Sequence, residues 1–256
     1  MVKIVAVVGG KHSGKTTVIQ HLVREFRNRG YKVGSVKEMS NAQWVDIPGK
    51  DTWEHGKAGV EIVAGVAINE TVLFVKKKLS LDEIESFFKG FDYLFLEGFE
   101  NEKTVAKIIA AKDSDEVSKF YDSLTIAVSG IIAGSVEEVR KASTIKVPVL
   151  NCGTEAEKLA DLVEEKAFHQ LPNLNHCGEC GYSSCGDLAK AIIAGKATLK
   201  ECPLRTKDDV ILEVNGSRVP LKVFPRNFIK NLLKGMISSL KGVEQAEEIK
   251  ITVKKA

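Results

Sequence analysis

The chain has 256 residues, 44% hydrophobic and 28% charged, enough for one sizeable domain with a small one appended. The net charge of +3 is spread without any long Lys/Arg block, which argues against nucleic acid as a partner. No apolar run approaches the roughly 18 residues of a membrane span, and the short apolar start reads as a strand, not a signal peptide, so a cytoplasmic protein without a membrane partner is expected.

Short apolar runs alternate with helix-like stretches from residue 3 to 168. Strands are predicted at Ile4–Val8, Lys32–Val36, Thr71–Val75, Tyr93–Leu96, Val105–Ala110, Leu124–Val128 and Val147–Leu150, with 59–68 open between helix and strand. Helices are predicted at 15–29, 80–89, 114–121, 135–142 and 154–168, and Ser80 with Glu83 has capping-box spacing. Continuous apolar strands between helices imply an α/β fold with a mostly parallel sheet covered on both faces. Residues 169–176, with Pro172 and several polar side chains, suit a linker, and a four-cysteine module follows at 177–204. From 208 to 256 the pattern is a small β-β-α-β unit. Val210–Val214 and Arg218–Phe224 flank Asn215-Gly216, a strong hairpin signal. A helix then carries Phe228, Leu232, Met236 and Leu240 as its core stripe, and Ile249, Ile251 and Val253 alternate as a closing strand.

Gly9-Gly10-Lys11-His12-Ser13-Gly14-Lys15-Thr16 fits G-x-x-x-x-G-K-[ST], between an apolar strand and an amphipathic helix. Glycines let successive N–H groups turn inward onto phosphate oxygens, and the helix N-terminus adds partial positive charge. Gly10, Lys11, His12, Ser13, Gly14, Lys15, Thr16 and Thr17 are therefore the candidate nucleotide-binding residues, with Lys15 on the β- and γ-phosphates and the Thr16 hydroxyl on Mg²⁺. Glu97, at the end of an apolar strand, is the candidate second Mg²⁺ residue, through water or by orienting an attacking water. The polar segment Asp46 to His55, about 30 residues after the loop, is open between a switch loop over the γ-phosphate and a surface loop.

These pieces together resemble the molybdopterin-guanine dinucleotide biosynthesis adaptor protein B family. The resemblance rests on Gly9 to Thr16, on Asp46-Ile47-Pro48-Gly49-Lys50-Asp51-Thr52-Trp53-Glu54-His55, and on Glu97-Gly98-Phe99, and covers about residues 1 to 168. It implies a P-loop protein that binds GTP, hydrolyses it weakly and assists a partner guanylyltransferase or a molybdoenzyme client; a homodimer is compatible with it. Carried over, Lys15, Asp46 and Glu97 are the candidate catalytic residues, with Asp46 and Lys50 near the γ-phosphate. Two departures stand out. The chain reads Lys37-Glu38-Met39-Ser40 where the family tends to Lys-His, and Ala106-Lys107-Ile108 follows Glu-Gly-Phe only at a distance. No N-K-x-D guanine-reading motif is present, so ATP stays open beside GTP.

Cys177-x₂-Cys180-x₄-Cys185-x₁₆-Cys202-Pro203 places four of the five cysteines together, and in a reducing compartment such a group reads as metal ligands. The spacing and the Cys-Pro ending resemble the small [4Fe–4S] domain of corrinoid iron–sulfur proteins and electron-transport subunits. Zinc is the rival, although zinc ribbons use two C-x₂-C pairs and only one is present. Between the third and fourth cysteines Leu188, Ile192, Gly195 and Leu199 are expected on one helical face. So small a module has too few apolar residues for a core of its own, so metal loss is expected to unfold 177–204 and leave the P-loop domain intact. Two other functions remain compatible with the sequence: an NTPase maturing or reducing a different metal centre, and a non-catalytic iron–sulfur carrier or scaffold.

Overall fold

A computed structural model describes residues 2–40, 42–143, 145–173, 177–206, 210–215, 217–219, 221–240 and 249–253. The first strand, β1 (Lys3–Val8), is buried along nearly its whole length and runs through the glycine loop into α1 (Lys15–Asn28). Then come β2 (Val33–Lys37), α2 (Asp51–Lys57), β3 (Ile62–Val66), β4 (Thr71–Val75), α3 (Leu81–Glu85) and β5 (Tyr93–Glu97). The domain continues with β6 (Ala106–Ala110), α4 (Ser114–Phe120), β7 (Thr125–Ser129), α5 (Val136–Ala142), α6 (Ala156–Lys166) and β8 (Phe168–His169).

The main sheet has the order β2-β5-β1-β6-β7, all parallel, with β8 antiparallel to the start of β1. Successive residues of β1 face opposite sides, so one strand feeds two cores. Val5 and Val7 pack with Phe26 of α1 and Leu159 of α6, while Ile4, Ala6 and Val8 pack with Val117 of α4 and Ala142 of α5. That is the predicted sheet covered on both faces.

Three details differ from the sequence reading in this domain. The open run 59–68 contains β3, which pairs only with β4 as a separate antiparallel hairpin, so Thr71–Val75 lies outside the main sheet. Helix α2 occupies part of the segment read as a loop. Of Val147–Leu150 only a single bridge, Val149 to Val128, joins the sheet.

Capping fixes how α4 meets α5. Glu138 accepts from the Ser114 amide (2.9 Å) and hydroxyl (3.0 Å) and from Lys141 (2.7 Å). Lys141 first, then Ser114, hold its carboxyl down at about 2, against an ordinary 4.5. A depressed folded pKa stabilises above the unfolded value and is lost as pH falls. The stability gap between the parent and Glu138→Gln is therefore expected to close as pH drops from about 4.5 to about 2. Urea midpoints at pH 6, 4 and 3 measure it, and a gap constant with pH contradicts the assignment.

The expected linker is not a solvated connection at its start. Gln170 and Leu171 are 2% and 0% exposed, folded under β1 with β8, because Leu171 completes the apolar cluster. Helix α7 (Cys185–Ile193) and the short α8 (Pro203–Thr206) follow. Helix α7 is shorter than the face Leu188–Leu199 implied: Gly195 turns left-handed (φ +69°), and Leu199–Glu201 is a separate 3-10 turn. Nor does the module stand alone. Cys185, Leu188, Ala189, Ala197, Cys202 and Leu204 belong to the same apolar cluster as Phe26 and Leu159, which removes the premise that the P-loop domain is independent of it.

The last segment is β9 (Leu212–Val214), β10 (Ser217–Val219) and α9 (Val223–Ser238), the first two an antiparallel hairpin. The predicted closing strand is absent: residues 249–253 are not in a strand, and a hairpin of three-residue strands offers too short an edge to hold one. The strand expected to reach Phe224 ends at Val219, and Phe224 is helical. The stripe read as core is also corrected: Phe228, Leu232, Met236 and Leu240 are exposed.

Candidate functional site

The parallel register sets the site. Val7 of β1 and Lys37 of β2 both lie opposite Glu97 of β5, so three strands end level where the loop leaves β1. Ligand sites in such sheets lie at the carboxyl ends of the strands. Gly9 crosses the Ala110 carbonyl so closely that an added Cβ would stand 1.9 Å from its oxygen, so only glycine fits there. Ser13 is buried and its hydroxyl donates to the Gly10 carbonyl (2.9 Å), pinning the loop from beneath. His12 takes φ +58°, a left-handed conformation that costs a non-glycine residue on the order of 1 kcal/mol. Lys11, His12, Thr16 and Thr17 are exposed, and Gly10, Gly14 and Lys15 are half-buried, so the loop's outer side is open.

Lys15 folds back over the loop, its Nζ donating to the carbonyls of Gly9 (2.8 Å) and Gly10. The Thr16 hydroxyl donates to the Glu97 carboxylate at 3.0 Å, and Lys37 Nζ sits 2.8 Å from the same carboxylate. A hydroxyl and a carboxylate side by side are hard oxygen donors, and with water they suit Mg²⁺. These residues fit that ion.

Two members of this group were not singled out in the sequence as site residues, Lys37 and Glu38. Glu38 Oε2 accepts the Phe99 amide (2.8 Å), which holds the Glu97-Gly98-Phe99 turn against the end of β2 with Phe99 at φ +58°. The departure at Lys37-Glu38 thus has a structural account: a carboxylate clamps the turn that carries Glu97. Only knowledge that β2 lies beside β5 would have revealed it.

Asp46 is placed elsewhere in the network. Its carboxylate accepts from the Thr52 hydroxyl (2.8 Å) and the Ile47 amide (2.9 Å), and pairs with Lys76, just after β4 (2.6 Å). Burial opposes its ionisation, but Lys76, Thr52 and the Ile47 amide outweigh it and hold its carboxyl below the usual range. Lys76 also lies 5.9 Å from the Trp53 ring centroid, and Trp53 stands edge-on to Trp44 at 4.8 Å. The hydrogen bonds of Asp46 therefore organise α2 on the β3–β4 hairpin and do not reach Lys15 or Thr16.

None of the module's four cysteines is in a disulfide; Cys185 and Cys202 are buried, and Cys177 and Cys180 are half-buried. Cys177 and Cys180 pack against the cluster that contains the other two. Gly178 and Gly181 both take left-handed φ, and the Gly181 amide closes a tight turn on the Gly178 carbonyl (3.1 Å). Cys185 opens α7, whose cap Ser184 accepts from the Asp187 amide (3.1 Å). Among the described residues no three His, Cys, Asp or Glu side chains are gathered tightly enough to hold an ion. In chemistry the set fits a soft, thiolate-bound centre: four thiols outside any disulfide, glycine turns between them and low-dielectric surroundings. Cys152, the fifth, is a buried core thiol.

Residues 4–132, half the chain, match the sequence profile of molybdopterin guanine dinucleotide synthesis protein B, MobB. The chain belongs to the MobB family. A second profile, described as "Putative Fe-S cluster", matches residues 171–204, outside the MobB match. The "Putative molybdopterin-guanine dinucleotide biosynthesis adapter protein" of Methanocaldococcus jannaschii is 28% identical over 256 residues, 98% of this chain and 97% of that one. The likeness to the adapter protein of Escherichia coli K12 is also 28%, but over 120 residues, 44% of this chain and 67% of that one. Among solved structures, Bacillus subtilis MobB superposes with a TM-score of 0.51 at 20% identity, over 66% of this chain and 99% of that one. That likeness carries the MobB fold. Among the described residues no helix is long and apolar enough to cross a membrane.

Proposed function

We propose that this MobB-family chain binds Mg²⁺–GTP on its glycine loop and serves as an adapter in molybdopterin guanine dinucleotide biosynthesis, carrying a [4Fe–4S] centre on Cys177, Cys180, Cys185 and Cys202. The observation that carries the nucleotide reading is the Thr16–Glu97 contact beside Lys15. In this reading the amides of Gly10 to Thr17 enclose the phosphates and the Lys15 ammonium swings from the loop carbonyls onto the β- and γ-oxygens. Thr16 and Glu97 hold the metal, and Lys37 balances the carboxylate.

A weak rate of hydrolysis fits the residues read as lining the phosphate site. Residues 9–17, 37–40 and 97–99 contain no arginine, and an arginine at the γ-phosphate position is worth about 10³–10⁵ in rate. Lys15 and Lys37 give binding and charge balance without that transition-state stabilisation. Such a protein suits a hand-over role, and a guanylyltransferase or a molybdoenzyme is the partner that a guanine-dinucleotide pathway supplies. The cysteine centre would supply one-electron chemistry or a docking signal, and it would be held by the buried Cys185 and Cys202 and the half-buried Cys177 and Cys180.

Glu97→Gln tests the nucleotide half. It is expected to remove most of the gain in GTP affinity on adding Mg²⁺, by roughly tenfold or more, while leaving metal-free binding near that of the parent. Titrations with and without Mg²⁺, using GTP and ATP, measure this. Equal Mg²⁺ dependence in parent and variant would remove Glu97 from the site, and preference for ATP would reassign the base.

A further inference from the structure

Among the described side chains of α9, only Arg226 is buried, at 5% exposed, while the outer row Phe224, Phe228, Leu232 and Met236 faces outward. Its Nη1 donates to the Pro203 carbonyl (2.8 Å) and its Nη2 to the Leu221 carbonyl (3.4 Å). The buried Nε has no acceptor, and among the described residues no carboxylate pairs with this guanidinium. A guanidinium stays protonated in a protein, so this is a buried cation held by neutral carbonyls, with one of its three nitrogens making no hydrogen bond. Such an arrangement is unfavourable unless negative charge lies close by.

The chain supplies a source of that charge one residue away. Pro203 follows Cys202, itself buried, with Cα atoms about 3.8 Å apart. A dipositive core held by four thiolates is a dianion, whether iron–sulfur or zinc. We propose that Arg226 is the counter-charge of the centre on Cys177, Cys180, Cys185 and Cys202, so that α9 is held in place by that centre and released when it is lost. This rests on the cysteine-centre reading above. Arg226 is a positioning residue: it docks α9 and tunes the centre's charge without being a ligand. The unused Nε–H is a donor in reserve, and beside Arg226 the apolar anchors of α9 among the described residues are the half-buried Ile229, Leu233 and Ile237.

The test uses the full chain purified without oxygen, with iron, zinc and sulfide quantified, beside Arg226→Met and Arg226→Lys. Arg226→Met is expected to lose metal to a chelator at least tenfold faster than the parent, and Arg226→Lys to recover a large part of that. If the centre is redox-active, loss of the cation should shift its reduced-to-oxidised ratio about tenfold towards oxidised at fixed potential, 59 mV for one electron. Stripping the parent of metal should expose residues 223–238 to protease. A metal-loaded Arg226→Met with the parent's release rate and protease pattern overturns the proposal alone. If that variant does not fold, unchanged protection of 223–238 in the stripped parent overturns it. A parent purified with neither iron nor zinc sinks the cysteine centre itself, and the proposal with it.

Discussion

Lys15→Ala is expected to lower the affinity for Mg²⁺–nucleotide at least a hundredfold while leaving the fold intact. The ammonium now donates to two loop carbonyls, contacts that water can replace at a half-buried position. Its removal should therefore shift stability by no more than about 1 kcal/mol. Against a triphosphate the same group makes charge-assisted bonds worth about 1.5–3 kcal/mol each, and two of them correspond to roughly two to four powers of ten in affinity. Lys15→Arg should not rescue binding, because a planar fork does not fit where a compact ammonium does. Calorimetric titration measures the affinity and circular dichroism the fold. A further readout is the thermal shift by nucleotide, about 2.7 kcal/mol at a hundredfold excess over Kd for the parent and close to nothing for the variant. Affinity within threefold of the parent would remove the phosphate loop as the functional site.

The second large effect concerns the junction between the cysteine module and the sheet domain. Leu188 of α7 is fully buried in the cluster that also holds Phe26 of α1 and Leu159 of α6. Leu188→Ala should cost about 3 kcal/mol and lower the melting temperature by roughly 6–12 °C in a single transition that nucleotide still shifts. Removal of a cysteine-bound metal should act the same way, destabilising the P-loop domain along with 177–204. The sequence implied the opposite, a module that unfolds alone, because its few apolar residues were weighed as a separate core. They are part of a shared one. Two resolved transitions, with the upper one unmoved by Leu188→Ala or by chelation, would restore independence.

Much of the proposed phosphate site was legible because it is local. The residues from Gly9 to Thr17 set the loop geometry, the lysine and the hydroxyl, and their spacing along the chain is their spacing in space. Glu97 was legible for a related reason, since a strand ending in an acid carries that acid to the strand's carboxyl end. Lys37 and Glu38 were not, because their role depends on β2 lying beside β5, which no local pattern encodes. Asp46 is the converse case. Its motif is local, but the partner of its carboxylate is Lys76, thirty residues on and brought close by the β3–β4 hairpin. The C-terminal stripe was misread because periodicity reports that one helix face is apolar, not that anything covers it.

By itself, then, the sequence determined the alternation of strand and helix, the glycine loop, and the run of Cys177, Cys180 and Cys185 with Cys202 seventeen residues on, since each is written in the order and spacing of residues within one short stretch of chain. Tertiary structure decided which strand ends meet at Glu97, that Leu171, Cys185, Leu188, Cys202 and Leu204 share the sheet domain's core, and that Arg226 is buried with no acid paired to it among the described residues. Those outcomes depend on residues as far apart in the chain as Phe26 and Leu204 joining one cluster, and burial arises only when distant segments exclude water from each other.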